Sequence, residues 1–373
     1  MSETKRGVDG VGDAGTSCST PEHSGARRTG GGRWARSVAC ARRWGRIGGW
    51  TLLGAFGSLG VGALARSGAE LDRSSDVAGW AIDRDGGALV AFDAERLKLA
   101  RYPLPSPVEL ALDVEERLWV ACAGLEGPLG PHRLMRVDGA TGSVLRELGT
   151  GPLLDLEAGE SAERGRGEAW WVALAGSAER EVSRLSAAGS LALVERSADA
   201  FCVAGQRGAV LVGSETGELR LYGPQGQRLA ARPFGGVISD LAPGPEEGTW
   251  WVLDAHGSAT AHRVALVERD LRSRWERSAG VSAIYLAPVP RTERVWLSDA
   301  TGARVRRFGP AGSLELAHVA LPHSGATRAS ASFDGSLWLA APGALLCVDG
   351  AGVVSPGQGG FDFVVDVVRR EAR

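Results

Sequence analysis

Residues 250–254 read WWVLD, an unbroken apolar run marked by tryptophan and closed by an acid, and runs of the same kind recur along the chain. They are GWAID (79–83), LWVAC (118–122), WWVAL (170–174), VLVGS (210–214), VWLSD (295–299) and LWLAA (337–341), about 40 to 50 residues apart. Around each run the same unit repeats: an apolar strand, a turn, the marked strand, a Gly or Asp turn, a third strand, a second Gly turn and a fourth strand. Short alternating strands punctuated at this period predict small four-stranded sheets that must stack their apolar faces on one another. A helical solenoid is excluded by the strand pattern, and the expected architecture is an all-β propeller of about seven blades. The large residue of each marked strand, usually Trp, is expected to fill the space between blades.

The first copy begins at its second strand, because nothing suitable as an inner strand lies between residues 65 and 77. The C terminus supplies one: residues 361–368 read FDFVVDVV, the pattern of an inner strand after the seventh blade. That strand is expected to complete the first blade and close the ring over residues 77–373, hiding sheet edges that would otherwise invite aggregation.

Outside the repeats the composition changes. Residues 1–65 carry nine Lys and Arg against four Asp and Glu, leaving 33 basic and 40 acidic residues in the rest, a net −7. An acidic domain argues against nucleic acid as a partner. Lys5 and Lys98 are the only lysines, so arginine carries nearly all the positive charge. Residues 1–47 are basic, rich in Gly, Ser, Thr and Arg, without periodicity, and read as disordered. Residues 48–65 (GGWTLLGAFGSLGVGALA) form an uncharged stretch behind Arg42, Arg43 and Arg46, which reads as a signal peptide or a transmembrane anchor. Positive charge ahead of it places the domain outside the cytoplasm, with membrane contact only through residues 48–65. Cys122, Cys202 and Cys347 lie far apart in apolar runs and read as small buried hydrophobes, not as a disulfide framework or metal site.

The clearest repeat, VWLSDATGARVRRFGPAG at 295–312, resembles the NHL repeat, with Asp299, Arg304, Val305, Phe308 and Gly312 in the matching places. VLVGSETGELRLYGPQG at 210–226 matches in part, with Ser214 in place of the aspartate, and RVDGATGSVL at 136–145 is similar to the Asp-x-x-Thr-Gly turn of quinoprotein-type propellers. The resemblance, which extends to gluconolactonase-like propellers, implies a propeller fold and leaves scaffold, lactonase and lyase functions open.

Equivalent positions on the inner strands form a ring at the mouth of the central channel. Counting back from each marked strand gives Glu109, Asp155, Phe201, Asp240, Tyr285, Arg328 and Asp366. Carboxylates converging there suit a hard divalent cation such as calcium, with Asp155, Asp240 and Asp366 as candidate ligands, or a polar ligand gripped with Tyr285 and Arg328. In gluconolactonase-like enzymes the resemblance implies a metal near the axis on acidic and amide ligands; no Asn stands at an aligned position here. The alternative for the aspartates is hydrogen bonding to backbone amides at strand starts. His132, His256, His262, His318 and His323 fall in or near expected turns or outer strands, His256 nearest a place where it could act. Residues 158–167 (AGESAERGRG) depart furthest from the repeat and are a candidate for a binding rim or a solvated loop. No nucleophile elbow, phosphate loop or dinucleotide fingerprint is present. These features favour a binding scaffold for a protein, peptide or glycan over catalysis. The alternative is a metal-dependent lactonase or lyase at the acidic mouth, and a quinone-cofactor dehydrogenase comes third.

Overall fold

A computed structural model describes residues 77–370 apart from 125–126, 164, 187, 257–260, 281, 300, 327, 360 and 362–363. Residues 1–47 and 48–65, read above as a disordered segment and a signal or anchor, lie outside the described residues. The strands form seven four-stranded antiparallel sheets, each running from an inner to an outer strand, which are the blades of a propeller.

The marked runs are the second strands, and their continuous apolar character follows from burial on both faces. In WWVLD, Trp250 and Val252 pack with Phe201, Leu211 and Leu219 of the preceding blade. Trp251 and Leu253, pointing the other way along the strand, pack with Leu286, Val295 and Phe308 of the following blade. One five-residue run within a strand therefore serves two interfaces through its two-residue period. Tight approach at these interfaces requires glycine in places: a Cβ on Gly205 would stand 2.2 Å from Trp170 Cε3.

Blade 1 is closed by the C-terminal strand Val364–Arg369, which pairs antiparallel with Gly79–Asp83 in the register Trp80 with Val368, Ala81 with Val367 and Ile82 with Asp366. Val364 and Val367 enter the interface between blades 1 and 7, where Phe92 stacks on Trp338 at 4.9 Å between ring centroids. Because strands alternate in direction, the turns between strands 1 and 2 and between strands 3 and 4 lie at one end of the disc. The turns between strands 2 and 3 and the links between blades lie at the other, here called the mouth end.

Asp299 and Asp138, which close two of the repeat strands, act in turns. Asp299 Oδ1 accepts hydrogen bonds from the amides of Thr301 and Ala303, both at 3.1 Å, and Asp138 Oδ1 accepts from Ala140 and Thr141 at 3.0 and 2.8 Å. Ser214 Oγ takes over that task at the partial match, accepting from the Glu218 amide at 2.8 Å. Cys122 and Cys202 are buried, whereas Cys347 is only partly covered. Burial pushes the Cys122 thiol up to about 12.

Candidate functional site

The inner strands position the ring through a shared irregularity. In six of them the pairing with the second strand slips by one residue, passing over Val108, Leu154, Phe201, Ser239, Ile284 and Val365. Such a bulge re-aims the side chain that follows it. Those side chains are Glu109, Asp155, Cys202, Asp240, Tyr285 and Asp366. In blade 7 Arg328 has the corresponding place, its carbonyl accepting the Ala340 amide at 2.9 Å. One expected ring member is thereby corrected. Phe201 is the bulged residue itself and packs in the blade 4–5 interface, leaving Cys202 in the ring register.

Three aspartates bind neighbouring blades together. Asp366 Oδ2 accepts the Leu110 amide at 2.8 Å, Asp155 Oδ2 accepts Val203 at 2.8 Å, and Asp240 Oδ2 accepts Leu286 at 2.7 Å. Each amide belongs to the residue after the ring position in the next blade, so the contact joins blades 1 to 2, 3 to 4 and 5 to 6. Inner strands have no neighbour toward the axis, and these carboxylates satisfy amides that no ladder reaches. The second oxygens of Asp366 and Asp240 accept the amides of Val367 and Leu241 at 2.8 and 3.0 Å.

Arg328 supplies the opposite charge. Its Nη2 contacts Glu109 Oε1 and lies 3.3 Å from Asp155 Oδ1, and its guanidinium sits 5.1 Å from the centroid of the Tyr285 ring. Burial opposes the guanidinium charge, but the carboxylates of Glu109, Asp366 and Asp155 outweigh it and hold Arg328 well above the ordinary arginine range. The structure thus brings Glu109, Asp155, Tyr285 and Arg328 into contact, with Asp366 in the same electrostatic neighbourhood.

Glu157 joins this group. It follows Asp155 by two residues on the inner strand Leu153–Glu160. Protein surrounds it although part of its surface stays open. Burial, reinforced by the charge of Asp155 and, less, by Asp240 and Glu109, against the pull of Arg328, raises its carboxyl well above the usual range. The two-residue period of a strand puts Glu157 on the same face as Asp155, a signal present in the sequence but not used there.

The fit of a metal to this ring is poor. Asp155, Asp240 and Asp366 each present an oxygen to a backbone N–H, where a cation would compete with a donor. Among the described residues no group of three or more His, Cys, Asp or Glu is placed to hold a metal ion.

The histidines differ from expectation. His132 and His262 lie on third strands and are buried, each bridging to the next blade's inner strand. His132 Nδ1 accepts the Leu153 amide at 3.1 Å, which places its proton on Nε2, and His262 Nδ1 donates to the Ala283 carbonyl at 2.6 Å. His318 lies on an outer strand beside Arg306 and His323 is exposed in a turn. His256 ends the strand Thr249–His256, and its side chain is outside the described residues. Of residues 158–167, residues 158–160 and 167 lie at the ends of two extended strands, and the segment between them turns at the end of the disc opposite the mouth. That turn is tied to its neighbours: the Gly167 amide donates to Glu115 Oε2 at 2.7 Å, and Arg207 donates to Glu160 at 3.0 Å.

One pH effect follows from Asp366. Burial lifts its carboxyl to about 6, against the opposing pull of Arg328 and its two amide bonds. An unfolded aspartate titrates near ~4, so the folded state binds more protons between the two values. The stability that Asp366 contributes is therefore complete below pH ~4 and lost as pH rises through ~6. Asp366→Asn lacks this titration and should gain about 2 to 3 kcal/mol on wild type between pH 4 and 7.5. Urea unfolding of both proteins across that range measures the change; a constant difference would contradict the raised value.

No protein-family profile and no curated protein matches the sequence. Solved structures match in shape. A protein of unknown function from Desulfotomaculum acetoxidans aligns with a TM-score of 0.60 at 13% identity, over 80% of this chain and 100% of that one. Apo AztD from Citrobacter koseri aligns with a TM-score of 0.54 at 14% identity, over 79% and 97%. At these identities the likeness is one of fold.

Proposed function

We propose that this chain is a binding scaffold, exported or membrane-tethered, which presents the mouth end of the propeller to a polar ligand such as a peptide segment of a protein or a glycan. The observation that carries this reading is the mutual engagement of the ring. Aspartates that would be ligands or bases in an enzyme accept amides of the next blade, and Arg328 holds Glu109 and Asp155. A hub organised in this way fixes blades against one another and gives a rigid platform, which lowers the ordering cost of binding. Tyr285 with Arg328 on its face, and the carboxyl of Glu157, offer an aromatic surface and a hydrogen-bonding group to a sugar or peptide. The unit at 295–312 supports kinship with NHL-like propellers, and the apolar stretch at 48–65 supports export or tethering.

Glu157 also favours a second reading. A carboxyl whose proton affinity is raised by burial and by neighbouring carboxylates has the character of a general acid, which suits a hydrolase or lyase at the mouth. The two readings are separated by screening peptides, glycans and lactones against wild type, Tyr285→Ala and Glu157→Gln. The scaffold reading expects saturable binding of a peptide or glycan, weakened tenfold or more by either substitution, without turnover. Turnover of a lactone that Glu157→Gln abolishes would replace it with the enzymatic one.

A further inference from the structure

The large apolar side chains left most exposed among the described residues all lie at one end of the disc, the end opposite the mouth. Most stand at or beside the start of an outer strand, one blade after another: Leu97, Leu145, Leu191, Leu229, Leu314 and Val353, in blades 1, 2, 3, 4, 6 and 7, with exposures between 44% and 62%. Val114 and Phe333, in turns between first and second strands, are at the same end. Blade 5 alone breaks the circle, with exposed Arg272 and Ser273 at that place. Single exposed leucines need no explanation. An annulus at one end, matched among the described residues by nothing similar at the mouth end, does.

Two features indicate what covers it. A protein partner reads one sector of a disc, whereas residues spread around the perimeter at one end suit a flat, laterally uniform surface. The chain also enters the propeller at this end, since Gly79–Asp83 is the second strand of blade 1 and starts there. Upstream in the sequence, residues 66–76 are all that separate Val77 from the uncharged apolar run at 48–65. We infer that this end of the propeller lies on a lipid bilayer, its annulus of Leu and Val dipping into the headgroup boundary. Membrane contact then extends beyond residues 48–65, and the mouth end faces away from the membrane. The net −7 of the chain beyond residue 65 makes a zwitterionic surface the better fit, with attachment that added salt does not release. This inference stands apart from the ligand reading, because it concerns the opposite end of the disc.

Hydrogen exchange of the full chain, with and without phosphatidylcholine vesicles, tests it. Vesicles should protect amides around residues 95–98, 144–147 and 191–194 and leave the mouth-end turns at 84–87, 215–217 and 301–303 unchanged. The triple variant Leu145→Glu, Leu191→Glu, Leu193→Glu changes only exposed positions, so it should keep the wild-type melting temperature while the protection at that end falls tenfold or more. Three results would overturn the inference. They are equal exchange at both ends on adding vesicles, protection confined to residues upstream of Val77, and protection without vesicles accompanied by a dimer in sedimentation, which would make a second copy the occupant.

Discussion

A chain ending at residue 360 should lose the cooperative unfolding transition of the full protein. The strand Val364–Arg369 is the inner strand of blade 1, so its removal strips the ladder partner from Gly79–Asp83 and the cover from Phe92 and Trp338. It also removes Asp366, whose carboxylate joins blade 1 to blade 2 through the Leu110 amide. A ring opened in this way has two unpartnered blade faces and a bare edge strand, a template for aggregation. Circular dichroism melts and light scattering read the outcome. Adding a peptide of residues 361–373 should restore a cooperative melt, because the missing element binds by completing a sheet. A truncated chain that melts like the full protein would contradict closure by this strand.

Replacing Arg328 with Met should cost about 3 to 5 kcal/mol, because it leaves Glu109 and Asp155 facing each other in a largely buried site with no counter-charge. For a domain of this size the melting temperature would fall by roughly 5 to 15 °C. The sign of the pH dependence is fixed by the same argument. Arg328 opposes the upward shifts of Asp366 and Glu157; without it these carboxyls rise further above their unfolded values, so the variant loses stability as pH rises and recovers part of it toward pH ~4 to 5, where they take up protons. Arg328→Lys should fall between the two, since an ammonium keeps the charge but lacks the planar fork that reaches two partners. A variant as stable as wild type at pH 8 would remove the hub from the account.

The fold was legible because its decisive signal is local and repeated. The marked strands are buried on both faces, which forces continuous apolar sequence with room for Trp, and FDFVVDVV had no role except as the missing inner strand. Ring positions were legible to within one residue. Phe201 stood in for Cys202 because the turn at 207–208 between the first two strands of blade 4 is shorter than its counterparts, so counting back from the marked strand overshoots by one residue. His132 and His262 were misplaced for another reason. Polar residues suggest turns, yet these two are buried where third strands meet the next blade and each satisfies one inner-strand group. The partners of the aspartates were beyond the sequence altogether: Asp366 and Leu110 are 256 positions apart, and only ring closure makes them neighbours. Residues 158–167 departed from the repeat because the first and second strands of blade 3 run longer and the turn that joins them is tied to blades 2 and 4.

The central claim is that the acidic ring is a structural hub and not a metal centre. Metal content and thermal melts of the purified protein, with and without a chelator, beside the double variant Asp155→Ala, Asp240→Ala, test it most directly. The hub predicts no stoichiometric divalent metal, a melting temperature unmoved by the chelator, and a double variant that melts well below wild type because two inter-blade joints are lost. A bound metal whose removal lowers the melting temperature of wild type, and which the double variant fails to retain, would contradict the hub and establish the ring as a metal site.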